Sequence, residues 1–163
     1  MRLKFDQQIK IGIKPISEVI LDLQSRHGLM PVLRALQYVF ITPELNKSVF
    51  EILEKKIKSD VQETGRYGLS LWEVLVLGVV RHCENADYDQ LHDLANDHSS
   101  LRGILGVSTN DYSAGRTYKL QTIKDNVRLL DEATIQEISA IVVLGSHGLI
   151  KKKRGRGLFK FTN

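Results

Sequence analysis

Residues 82–98 hold the side chains best suited to chemistry in this chain: His82, Cys83, Glu84, Asp87, Asp89, His92, Asp93, Asp97 and His98. Imidazole, thiolate and carboxylate are the donors zinc takes, and carboxylates suit magnesium. Their spacing does not assemble a site. The segment has no HExxH, no CxxC and no repeated His-to-carboxylate pair that would align one helical face. His82 and Cys83 end an apolar stretch, and the acids after them fall at helix caps and on an exposed face. A solvated acidic surface without metal is the expectation. A metal-dependent hydrolase built on His82, Glu84, Asp87 and His92 is the least supported alternative. Cys83 is the single cysteine and reads as a small core residue. Alone it forms no intramolecular disulfide, which points to a reducing compartment. Ser99, Ser100, Ser108 and Ser113 lie in cap and turn contexts, without the glycine-flanked elbow of a nucleophile. Gly65-Arg66-Tyr67-Gly68 lacks the length and the lysine of a phosphate-cradling loop. No catalytic centre is expected.

Recognition chemistry has better material. Residues 116–128 place Arg116, Lys119, Lys124 and Arg128 around Gln121, Thr122 and Asn126. Glutamine and asparagine can read adenine bidentately, while cations hold backbone phosphates. The candidate DNA-binding residues are therefore Arg116, Lys119, Gln121, Lys124 and Arg128. The plainer alternative is an amphipathic helix with a solvated basic face. The helices between Ser70 and Gly106 have helix-turn-helix-like lengths, yet residues 84–111 hold six acids and one base, Arg102. A recognition helix that acidic repels phosphate and is not placed in a groove.

The formal net charge of +4 is local to one end. Lys151, Lys152, Lys153, Arg154, Arg156 and Lys160 make up six of the 23 basic residues, and residues 151–163 hold no acid. Residues 1–150 thus keep 17 bases against 19 acids and are net −2. Lys151, Lys152, Lys153, Arg154 and Arg156 form a weaker candidate DNA contact, acting through counterion release. With Phe159 and Phe161 offering stacking, a nucleic-acid-binding arm is the alternative, and an unselected, disordered tail is the expectation.

The elements that must position these groups are helical. At 163 residues, 42% hydrophobic and 26% charged, the chain is long enough for a real core. Its longest apolar run, Val74 to Val80, is far short of the roughly 20 residues a membrane span needs. The opening MRLKFDQQIK has no apolar signal-peptide core, so a cytoplasmic location and no membrane partner are expected. Ile9, Ile11 and Ile13 alternate with polar or small residues, predicting a short extended N-terminal segment. Ile16, Val19, Ile20 and Leu23 recur at helical spacing up to Gly28. Pro31 opens a helix carrying Val32, Leu36, Val39 and Phe40. Thr42 and Pro43 restart the chain into a helix that runs to about Asp60 and buries Leu45, Val49, Ile52, Leu53 and Ile57. Ser70 and Glu73 form a capping box before LWEVLVLGVVRHC, a helix apolar on nearly every face and hence central. Asp87 and Gln90 box the next helix, with Leu91, Leu94 and Ala95 inward, and a short helix from Ser100 to Leu105 stops at Gly106. Residues 118–130 stripe Leu120, Ile123, Val127 and Leu130 opposite Gln121, Lys124 and Arg128. Asp131 opens a last helix through Ile135, Ile138, Ile141 and Val142. The fold class is all-α, with about seven or eight helices around a central buried helix at 71–83. Residues 1–64 read as an N-terminal helical lobe, 65–150 as a second helical region and 151–163 as the basic tail.

Three segments carry a family likeness. The stretch TGRYGLSLWEVLVLGVVRHCENADYDQLHDLAND, then LRGILGV, then YKLQTIKDNVRLLDE resembles bacterial insertion-sequence transposases with a DDE nuclease. The stretch LQYVFITPELNKSVFEILEKKI is similar to the N-terminal part of the same proteins, and the likeness spans roughly residues 15–150. Gly65, Arg66, Ser70, Leu71 and Trp72 match the start of the family's buried helix. Asp87, Tyr88, Asp89 and Leu91 match its next helix, Gly106 its turn, and Gln121, Thr122, Asp125, Asn126 and Val127 a last shared box. The resemblance implies a helical region that binds transposon inverted-repeat ends in DNA and assists assembly, as a homo-oligomer or mixed with full-length transposase. Family members continue into a ribonuclease-H-like core whose three acids hold two magnesium ions for attack on a phosphodiester. After Ile150 this chain reads KKKRGRGLFKFTN, without an acid. The resemblance therefore implies a transposase truncated before its catalytic core, with no strand transfer and no cofactor of its own. A helical protein–protein interaction module, or an inert gene remnant with no DNA role, is the alternative.

Overall fold

The computed structural model describes residues 3–5, 13–22, 24, 28–58, 68–107 and 116–142. All regular structure among them is helical, as the periodicity predicts. A 3-10 turn (Ile16–Glu18) leads to α1 (Leu29–Ile41), α2 (Pro43–Lys58), α3 (Leu71–Cys83) and α4 (Tyr88–Asp97). Then follow α5 (Ser99–Ile104), α6 (Leu120–Val127) and α7, residues 132–142. The N-terminal alternation at residues 9–12, residues 65–67, Ser108, Ser113 and the basic segment 151–163 lie outside the described residues.

The fold is organised around α3. Its start is the reciprocal cap that S-x-x-E predicts: Ser70 Oγ accepts from Glu73 N, and Glu73 Oε2 accepts from Ser70 N at 2.8 Å. The next two amides have partners far away in sequence. Leu71 N donates to Leu3 O at 3.0 Å and Trp72 N to Lys4 O at 3.1 Å. Residues 3–5 thus cross the helix start as a strap and satisfy donors that have no partner within the helix. Lys4 Nζ lies 3.0 Å from Glu54 Oε1 of α2, which holds the strap from its other side. Leu71 through Gly78 are all buried, as is Val80, and α1, α2, α4 and α6 pack around them. One continuous core runs from Ile16 to Ile138, drawing on elements from both sides of residue 64.

Trp72 is fully buried, and its Nε1 donates to Ile104 O at 2.8 Å. The Phe40 ring lies 4.9 Å from it, and Phe5 meets Phe40 edge-on at 5.6 Å. Phe5 also explains Gly106. That residue sits at φ +72°, and a Cβ on it would stand 2.7 Å from the Phe5 ring. Gly78 lets the chain after α6 approach α3, since a Cβ there would collide with Leu130 Cδ2 at 2.6 Å.

Four expectations are corrected. Of the helical spacing from Ile16 to Leu23, the described residues 16–22 form only the 3-10 turn, because Gln37 Nε2 donates to Ile16 O at 2.8 Å and to Val19 O at 2.9 Å. A buried side-chain amide takes the carbonyls a helix would have used, Val19 turns extended, and Ile20 is left 85% exposed. The helix assigned to Pro31 begins two residues earlier, at Leu29, with the proline in its first turn, where it lacks no needed donor. Residues 118–130 are helical only over Leu120–Val127, although Leu130 still reaches the core. Cys83 is exposed rather than buried, since it is the last residue of α3, where the chain turns away from the core. Its part-buried thiol is pushed up by burial and by the neighbouring Glu84, which disfavours the nucleophilic thiolate.

α7 opens as expected at Asp131, whose Oδ1 accepts from Thr134 N at 2.9 Å. Lys56 of α2 pairs with the same carboxyl, and together with Thr134 it holds that group far below its usual range. No helix among the described residues is long and apolar enough to cross a membrane. Replacing Trp72 with Ala should cost about 3–5 kcal/mol in urea unfolding, the usual range for a buried large aromatic. Trp72→Phe should cost less, leaving mainly the Ile104 carbonyl without its donor.

Candidate nucleic-acid interface

Two side-chain amides fix α6 before any charge is considered. Asn96 of α4 accepts from Tyr118 N at 2.8 Å and donates to Tyr118 O at 3.0 Å, pairing with the chain just before α6 as a backbone would. Asn126 Oδ1 accepts from Leu69 N at 3.3 Å, and its Nδ2 donates to Thr122 O at 2.7 Å. Asn126 is therefore a buried packing residue, 5% exposed, and not an adenine reader. Ile123 and Val127 complete the inward face.

The five candidate contacts separate into two groups. Lys119 is the exposed N-cap of α6, Gln121 and Arg128 are exposed, and Lys124 is half-buried. Asp125 moderates this face, accepting from Gln121 Nε2 at 2.9 Å and lying 3.7 Å from Arg128 Nη2. Arg116 belongs elsewhere. Its Nη1 lies 2.8 Å from Glu73 Oε1, although Glu73 is only 3% exposed. Arg102, itself buried, donates to Arg116 O at 3.1 Å and to Ala95 O at 3.4 Å.

Glu73 is the residue that spacing alone did not reveal as a junction. Its Oε2 serves the cap of α3, while Oε1 accepts from the Tyr118 hydroxyl at 2.9 Å and meets Arg116. Burying an acid costs heavily unless every lone pair is used. An acid in an otherwise apolar helix was the available signal; its partners, 43 and 45 residues away, were not. Burial, and next the Glu73 carboxylate, raise the Tyr118 phenol well above its ordinary range, with Arg116 and Arg102 opposing.

The acids of residues 84–98 sit where caps and solvent put them. Asp87 caps α4 through Gln90 N at 2.8 Å, and Asp89, Asp93 and Asp97 are exposed. His92 Nδ1 lies 3.3 Å from Asp93 Oδ1, and His98 Nδ1 accepts from Leu101 N at the start of α5. Among the described residues no group of three or more His, Cys, Asp or Glu could hold a metal ion.

Arg116→Ala should destabilise the fold by about 1–3 kcal/mol in urea titration, since it strips a partner from a buried acceptor. A double-mutant cycle with Glu73→Gln should show coupling between the two positions. Tyr118 gives a pH signature. Its raised folded value means its stabilisation is complete below the ordinary tyrosine pKa of about 10 and is lost as pH climbs through the folded value. In an absorbance titration Tyr118 should ionise only with alkaline unfolding, and Tyr118→Phe should remove that late component.

No protein-family model matches the chain, and no curated protein and no solved structure matches it.

Proposed function

We propose that the helical body is a DNA-binding and assembly region of the insertion-sequence transposase kind. It would hold transposon ends. One observation supports this best: Asn126 ties α6 to Leu69, just before α3, and Asn96 of α4 ties down Tyr118, just before α6, while Lys119, Gln121 and Arg128 stay exposed and Lys124 half-buried at that helix. Rigid placement of a polar, net basic face is what phosphate contact and base reading require. Arg116 contributes stability to that face, and Lys119, Lys124 and Arg128 take the phosphates. A second reading, a helical protein–protein module, is favoured by the net −2 charge of residues 1–150.

The test is a binding titration of the full chain against synthetic duplexes of the inverted-repeat ends, with scrambled duplex as competitor, at two salt concentrations. Preferential, salt-sensitive binding supports the DNA role. Replacing Lys124 and Arg128 together with Ala should lessen the salt slope by about 1.8 units, at about 0.9 per phosphate contact. A second full-length variant with Lys151, Lys152, Lys153, Arg154 and Arg156 changed to Gln isolates the basic segment. Binding lost only in that variant would reduce the interaction to nonspecific charge, and no binding by the parent chain would favour the protein–protein module.

A further inference from the structure

The first turn of α3 is gripped from two sides. A helix leaves its first four amides without partners inside the helix, and here they are Ser70 N to Glu73 N. Two are satisfied locally, Ser70 N by Glu73 Oε2 at 2.8 Å and Glu73 N by Ser70 Oγ at 3.3 Å. The two between them, Leu71 N and Trp72 N, donate to the carbonyls of Leu3 and Lys4 at 3.0 and 3.1 Å. On the other side Asn126 of α6 accepts from Leu69 N at 3.3 Å, and the Glu73 carboxylate holds Tyr118 and Arg116, which lead into α6. Strap and α6 therefore hold the same residues, 69–73. The strap is the weaker grip. Leu3 is 63% exposed, and the Lys4 side chain is 61% exposed in its pair with Glu54, where solvent leaves an ion pair little strength. Its apolar anchor is Phe5, half-buried against Phe40 and Trp72 and fitted to Gly106. The α6 side rests instead on buried Glu73, Tyr118 and Asn126. Short segments with few buried contacts and exposed hydrogen bonds open before the rest of a fold.

We propose that residues 3–5 are a reversible latch: they lift from α3 without global unfolding, and through residues 69–73 their seating sets how rigidly the approach to α6 is held. With the strap lifted, Leu71 N and Trp72 N exchange their carbonyl partners for water, and the turn that presents Glu73 loosens. Tyr118 and Arg116 then share an acceptor that is no longer fixed. Linkage makes the effect mutual, so firm seating of Tyr118 favours the closed strap. The latch itself does not depend on DNA. Only its consequence for α6, that a bound duplex favours the closed strap, rests on the DNA-binding reading.

Amide hydrogen exchange of the full-length protein, followed by NMR over a range of low urea concentrations, tests the latch. Leu71 and Trp72 amides should exchange faster than that of Val76, within α3, and with little dependence on urea. Phe5→Leu should speed both by about tenfold, the loss of one aromatic pair. It should also speed Tyr118 N, whose partner is Asn96. Tyr118→Phe alters a group bonded to Glu73 and should speed Leu71 and Trp72 by about fivefold, the coupling expected within one network. Thr134→Ala weakens the cap of α7 and lowers overall stability, so it should speed Val76 and leave Leu71 and Trp72 unchanged. Exchange of Leu71 and Trp72 in step with Val76 at every urea concentration would mean that the strap opens only with the whole fold, and would overturn the latch. Unchanged rates in Tyr118→Phe, or equal acceleration by Thr134→Ala, would overturn the coupling to α6. The assay uses no DNA, so its failure is distinguishable from failure of the DNA reading.

Discussion

A carboxyl group inside an apolar core must have all its hydrogen-bonding capacity used, and at Glu73 that requirement links three parts of the chain. One oxygen closes the cap of α3; the other receives the Tyr118 hydroxyl and the Arg116 guanidinium. The most buried helix, the residues leading into α6 and the half-exposed Arg116 therefore share one acceptor. Tyr118 in turn is clasped by Asn96, so α4 is bound to the same junction. Moving any of these elements leaves a buried oxygen bare, so the arrangement holds as a unit.

That junction decides what the basic face can be. Five residues of residues 116–128 look alike on a helical projection, yet Arg116 is held by a buried acid while Lys119, Gln121 and Arg128 face solvent. Asp125 further tempers the face by drawing Gln121 and Arg128 toward itself. The outer surface of α6 is thus smaller and less positive than a count of its bases suggests.

Local rules made the helices and their caps legible. The boxes at Ser70 and Asp87, the stop at Gly106 and the inward stripe of Ile123 and Val127 depend on neighbours within a turn or two, and all are present. What stayed hidden needs partners far apart in sequence. Gln37 defeats a helix at Ile16 from 21 residues away, and Asn126 serves Leu69 across 57. Cys83 failed for a related reason: its neighbours are apolar, but the chain leaves the core at that residue. For the interface, the residue types were legible and the commitments of Arg116 and Asn126 were not.

The strap at residues 3–5 has a consequence for the order in which the fold can close. Leu3 and Lys4 are synthesised well before the residues they meet, since the amides they satisfy belong to Leu71 and Trp72, and the turn that Phe5 covers is at Gly106. Contacts so distant along the chain must await the later segment and pay for closing a long loop. On a ribosome α1 and α2 can form as they emerge, but their aromatic residue Phe40 has neither Phe5 nor Trp72 in place until α3 is out. The nascent chain therefore carries an unfinished apolar surface until α3 emerges, and the strap closes over it only when the Gly106 turn has followed.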